Sequence, residues 1–162
     1  MANNGTATNT PFGIKFIKNN TMSQPPLEYG TVTSGATVVA NTLGIINATT
    51  GNLDNHTPAA DEKIYWLFLQ GGTAGDVVQV MPIYTGYMFT AQSTSTVVVA
   101  QTDIGDTCEV TGTGSSQGLN VGTATQAVAV ILRLSEDPID NTIGKWCNLD
   151  FCILNARLKT GA

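Results

Sequence analysis

The chain has 162 residues, is 42% hydrophobic, and carries only 12% charged residues, with twelve Asp and Glu against seven Lys and Arg for a net charge of −5. That length fits one domain, able to bury roughly 70% of its unfolded surface without staples. The acidic balance excludes a basic nucleic-acid groove, and the lack of any run of roughly 18 apolar residues excludes a transmembrane helix.

The charged fraction is well below the roughly 25% usual for soluble domains. The polar surface must come from Thr, Ser, Asn, Gln and Gly, which repel a neighbour weakly and suit an assembled protein. The start, Met1-Ala-Asn-Asn-Gly-Thr6, has neither a basic n-region nor an apolar h-region, so no secretory signal is expected.

Residues 1–11 are Asn, Thr, Gly and Ala ending in Pro11, the composition of a flexible arm. Phe12-Gly-Ile-Lys-Phe-Ile17 is a short apolar patch at its end. It reads either as a first strand tucked on the core or as an anchor reaching a neighbouring subunit. Residues 18–162 are expected to form the folded domain.

Residues 18–29 are turn-rich, with Pro25-Pro26 favouring extended geometry. Thr31 to Ala40 reads as two short strands around a Ser34-Gly35 turn, and Leu43 to Ile46 as another. Asn47 to Ala60 is a polar stretch expected to be an exposed loop. Lys63 to Leu69 is the most aromatic segment. Alternation predicts Ile64, Trp66 and Phe68 on one face and Tyr65, Leu67 and Leu69 on the other, both apolar, as in a central or interface strand.

Asp76 to Tyr84 reads as a strand broken by Pro82, and Gly86–Thr90, Thr96–Ala100 and Ile104–Val110 continue the pattern. Thr111 to Gly118 is a flexible turn, and Leu119 to Thr123 leads into a terminal hairpin. Ala127 to Leu134 is its first strand. Ser135 to Asn141 collects turn formers, and Lys145 to Leu158 resumes extended structure. There Cys147, Leu149, Phe151 and Ile153 share one face, while Trp146, Asn148 and Asp150 share a wetter one. That pattern suits a sheet edge entering a barrel or a subunit interface. Short strands at turn-punctuated spacing, with almost no 3.6-residue period, predict an all-β fold: a single β-barrel or β-sandwich with an extended N-terminal arm.

Catalytic signals are sparse. GxSxG, HExxH and Walker patterns are all missing, and the acidic residues are scattered singly. Cys108, Cys147 and Cys152 are odd in number with no CxxC, which suits reduced, part-buried thiols in a cytoplasmically made protein. His56, the single histidine, falls in the polar stretch, so no metal site is expected. Asp103 and Asp106 flank Gly105 and read as turn caps rather than Ca²⁺ ligands. The chain is expected to be no enzyme and to take no cofactor.

Two stretches carry a family likeness. Asn9-Thr-Pro-Phe-Gly-Ile-Lys-Phe-Ile17 resembles the opening of small structural proteins of tailed bacteriophages, followed here by Pro25-Pro-Leu-Glu-Tyr-Gly30. Leu132-Arg-Leu-Ser-Glu-Asp-Pro-Ile-Asp-Asn-Thr-Ile-Gly-Lys-Trp146 resembles their penultimate hairpin, and Leu154 to Ala162 their short close. Asp103-Ile-Gly-Asp106 and Gly118-Leu-Asn120 fall at matching places, whereas the strand at 63–69 has no counterpart.

The resemblance implies a capsid decoration (cement) protein on the outer surface of the head. It would be made in the host cytoplasm, bind the major capsid protein, and stabilise the shell as a homotrimer at three-fold positions. Nucleic acid and membrane are not among the expected partners. The apolar patterning then makes Pro11, Phe12, Ile14, Lys15 and Phe16 the capsid-binding arm. It makes Tyr65, Trp66, Phe68, Trp146 and Phe151 the oligomer interface. Another virion component, from the tail or head–tail connector, and a carbohydrate-binding β-sandwich are the alternative readings.

Overall fold

A computed structural model of the chain describes residues 13–18, 24–59, 62–94, 98–122, 125–134 and 147–156. They build a nearly all-β structure. In chain order the strands are β1 (Lys15–Lys18), β2 (Glu28–Thr31), β3 (Thr37–Val38), β4 (Leu43–Ile46), β5 (Leu53–Asn55), β6 (Trp66–Phe68) and β7 (Gly72–Thr73). They continue as β8 (Val77–Pro82), β9 (Met88–Gln92), β10 (Thr107–Thr111), β11 (Gly118–Asn120), β12 (Ala129–Leu134) and β13 (Asn148–Ile153). Single 3₁₀ turns at Gln101–Asp103 and Gly114–Ser116 supply the helical residues among those described.

The strands form a six-stranded sheet in the order β1-β9-β13-β12-β10-β11, a five-stranded sheet in the order β2-β8-β6-β4-β5, and the small pair β3-β7. All the pairings are antiparallel. Both large sheets curl, the second until its end strands β2 and β5 touch and the first until β11 reaches β9, the neighbour of its end strand β1. Ser93, just past β9, bridges Leu119 of β11, and Thr94 N donates to the Leu119 carbonyl at 2.8 Å. Val32, just past β2, bridges Leu53 of β5, and Thr33 N donates to the Leu53 carbonyl at 2.8 Å. Among the described residues neither curl closes into a barrel, and the fold is sandwich-like.

Two apolar cores result. The larger lies between the sheets. Phe89, Phe151, Leu149, Ile131 and Leu119 of the first sheet meet Leu43, Leu67, Met81 and Ile83 from the second. The smaller sits inside the curl of the second sheet and holds Trp66, Phe68, Val78, Val80, Leu53, Val32 and Val38. Glycine makes room for it: a Cβ on Gly44 would come within 2.5 Å of the Phe68 ring, and one on Gly30 within 2.8 Å of the Leu53 side chain. Strand β6 serves both cores, because alternation points Leu67 one way and Trp66 and Phe68 the other.

The expected terminal hairpin is present: β12 and β13 pair, and Cys147, Leu149, Phe151 and Ile153 all face the larger core. Strand β13 is not a sheet edge, however, since β9 and β12 flank it. Its expected wet face also differs, because Asp150 is 1% exposed and accepts a bond from Arg133 Nε at 2.9 Å.

The strands on either side of the Ser34-Gly35 turn go to different partners, β2 to β8 and β3 to β7. Residues 98–100 carry no strand, and the strand expected at Ile104 begins only at Thr107. Ile64 departs from the alternation that grouped it with Trp66 and Phe68. The ladder breaks at Tyr65, so Ile64 turns into the larger core while Tyr65 packs on the smaller one.

Candidate functional site

Gly13 and Ile14 open the described part of the expected arm. Gly13 has φ +75°, a left-handed turn that favours glycine. Ile14 N then donates to the Asn41 carbonyl at 2.6 Å. The Ile14 side chain is fully buried in the larger core, and Phe16 packs on it with ring centroids 5.5 Å from Tyr87 and 5.8 Å from Phe89. Lys15 and Lys18 of the same strand are exposed, as suits an edge strand that charges protect from unwanted pairing. Residues 15–18 are thus the first strand of the chain's own sheet. Pro11 and Phe12 lie outside the described residues.

The expected oligomer interface is divided in the same way. Phe68 and Phe151 have no surface left for a partner, since both are fully buried in the chain's own cores. Trp66 is buried in the smaller core with Phe68, and Tyr65 is half-buried, with its ring centroid 6.3 Å from that of Trp66. Trp146 lies outside the described residues.

The polar stretch expected to be an exposed loop contains both β5 and a buried side chain. His56 is 3% exposed. Its Nδ1 pairs with the Glu62 carboxylate, and its Nε2 lies 3.0 Å from the Val110 carbonyl oxygen of β10. Gln117 makes a parallel tie: Leu43 N of β4 donates to its buried Oε1 at 2.6 Å. Both ties join the second sheet to the β10–β11 hairpin of the first. They tie the two sheets together, and sequence spacing carries no signal for either.

The remaining titratable groups fit turn and core duties. Asp103 Oδ2 accepts from Ala100 N at 2.8 Å, the turn-capping role expected of it. The Asp76 carboxyl is held below the usual carboxylate range by the backbone N–H of Thr73 and then by its hydroxyl. Burial, with Glu109 adding repulsion, pushes the Cys108 thiol up to about 12. Burial also raises the half-buried Cys152, against the opposing pull of Lys18. Among the described residues no group of three or more His, Cys, Asp or Glu is placed to hold a metal.

What the chain does present is an apolar strip on β2 and β8. Tyr29 is 69% exposed, Val77 62% and Leu27 54%. The pairings Tyr29↔Gln79 and Thr31↔Val77 put these side chains on one face. Gln79 Nε2 donates to the Tyr29 hydroxyl at 3.1 Å and sets the ring's position. The alternation of Leu27, Tyr29 and Thr31 carries the signal for this strip, a weaker one than the aromatic content of the strand at 63–69.

No protein-family model matches the sequence, and no curated protein matches it. Among solved structures, the chain is similar to the crystal structure of the head fiber gp8.5 N base in bacteriophage phi29. The TM-score is 0.46 at 11% identity, covering 83% of this chain and 99% of that one.

Proposed function

We propose that the protein is a bacteriophage capsid decoration (cement) protein without catalytic activity. It lies on the outer surface of the head, binds the major capsid protein, and stabilises the shell as a homotrimer at three-fold positions. Its place is the virion, after assembly in the host cytoplasm, and it takes neither nucleic acid nor membrane as a partner. The observation that carries this reading is the order and spacing of the two sequence motifs, Asn9–Ile17 and Leu132–Trp146, together with the matching Asp103–Asp106 and Gly118–Asn120 segments. The all-β body and the low charge are of the kind such a role needs.

The mechanism is apolar burial repeated over many small contacts on each head, at about 25 cal/mol per Å², less the entropy of ordering the contacting segments. Ile14 and Phe16 are packed on the chain's own core, so the shell contact falls to Pro11, Phe12 and Lys15. The test is copy number, by quantitative densitometry of purified virions against the major coat protein. A ratio near one per coat subunit supports decoration. A few copies per particle would remove it in favour of a tail or connector component.

A further inference from the structure

We infer that a buried water molecule bridges Asp150 of β13 to Thr90 of β9 and completes a polar clasp across three strands of the first sheet. The clasp lies on the face turned away from the larger core. Leu149 and Phe151 on either side of Asp150, and Phe89 and Ala91 on either side of Thr90, belong to that core. Alternation therefore turns Asp150 and Thr90 outward together. The ladder sets the two directly opposite each other. Arg133 of β12 stands opposite Asp150 on its other side, and Lys15 of β1 stands opposite Thr90. One row thus reads Lys15, Thr90, Asp150, Arg133 across four strands. The next pair on the same face is Gln92 with Asn148.

Asp150 is almost wholly buried, and its Oδ2 accepts the Arg133 Nε bond at 2.9 Å. Its Oδ1 and the Thr90 Oγ1 are both buried, and neither has a hydrogen-bond partner among the described residues. Leaving a buried polar atom in that state is costly, and here two such atoms sit on residues in direct register. The Cβ atoms of opposed residues are roughly 5 Å apart, yet no direct bond joins the two oxygens. That arrangement fits one bridging molecule. The carboxylate oxygen only accepts, so the bridge must donate to it. The hydroxyl does either, and so supplies the second polar partner that a buried water needs. Charge decides against a metal ion. Arg133 already answers the one carboxylate, and Lys15 flanks Thr90 on the same row. A bound cation would set a third positive charge beside a single negative one. Water satisfies both oxygens and adds no charge. Arg133, Asp150, the water and Thr90 then form one chain of hydrogen bonds over β12, β13 and β9.

The test is a high-resolution crystal structure of the full chain, with a second crystal soaked in rubidium chloride, whose anomalous scattering marks a monovalent cation. The expected result is a density peak roughly 2.7–3.0 Å from both Asp150 Oδ1 and Thr90 Oγ1, without anomalous signal. The Thr90→Ser variant, which keeps the hydroxyl, should retain the peak. Thr90→Val, which has the same shape without it, should lose the peak and unfold at lower urea concentration than wild type. If Thr90→Val fails to fold, the wild-type and Thr90→Ser crystals decide. A direct Thr90–Asp150 hydrogen bond with no density between them overturns the inference. So does a rubidium peak at the bridge, which would make it a cation site, and so does a peak that persists unchanged in Thr90→Val. The inference does not rest on the virion reading, which the copy-number measurement tests separately.

Discussion

The two cores are built from the same kinds of residue yet hold their strands in different ways. The larger is a contact between two sheets, and its largest fully buried side chains, Phe89 and Phe151, stand side by side on neighbouring strands with ring centroids 5.8 Å apart. The smaller is one sheet folded around itself, and its largest fully buried ring, Phe68, fits only because Gly44 offers no Cβ. A core between sheets tolerates adjustment by sliding one layer. A core inside a curl has the same strands on all sides, so added volume strains its own hydrogen bonds.

The largest expected effect comes from emptying either core. Phe151→Ala and Phe68→Ala should each cost about 3–5 kcal/mol, as large buried rings do. Both should shift one common unfolding transition in urea, because Leu67 and its neighbours Trp66 and Phe68 lock the two cores to the same strand. Two separate transitions in either variant would show the cores to be independent.

A smaller effect separates them. Gly44→Ala should cost about 1–3 kcal/mol by overpacking the curl, and Phe68→Leu in the same chain should recover part of that loss, a coupling that a double-mutant cycle measures. Additive costs would mean that the curl opens to admit the methyl group.

The mildest probe leaves the chain unaltered. Cys152 lies on the face of β13 turned away from the larger core, whereas Cys108 is buried in it and its thiol is pushed up to about 12. At pH 8 the folded protein should be alkylated at Cys152 first, with Cys108 reacting only as the chain unfolds, as mass spectrometry over time would show. Equal rates at the two sites would reveal a loosely packed larger core.

Much of this was legible in the residues. The two-residue period of Cys147, Leu149, Phe151 and Ile153 identified a core face, and the doubly apolar run at 63–69 pointed to a central or interface strand, within which 66–68 is the central β6. Periodicity reports which way a side chain points, but not which strand lies alongside. For that reason β13 read as an edge, and β2 and β3 read as neighbours. The Asn47–Ala60 stretch misled for a different reason. Its composition is that of a loop, yet Leu53 fills the curl, and the burial of His56 depends on a carbonyl of Val110, 54 residues away. The expected interface failed to separate from the core because an apolar strand buried inside a subunit and one buried between subunits have the same sequence. The exposed strip at Leu27, Tyr29 and Val77 differs from core strands only in lacking a covering layer among the described residues, which alternation does not report.

The placement of the first and last described strands has a mechanical consequence. Strands β1 and β13 flank β9, both antiparallel to it, and so run parallel to each other. Tension drawing the two ends of the fold apart pulls β1 backward and β13 forward along one axis. Both ladders are then loaded in shear, with their hydrogen bonds resisting together instead of unzipping one by one. The β1–β9 ladder is shorter and interrupted by a register shift between Phe16 and Lys18, so it is the first to yield. A pull delivered through the N-terminal segment would strip off β1 and leave the β9–β13 seam intact.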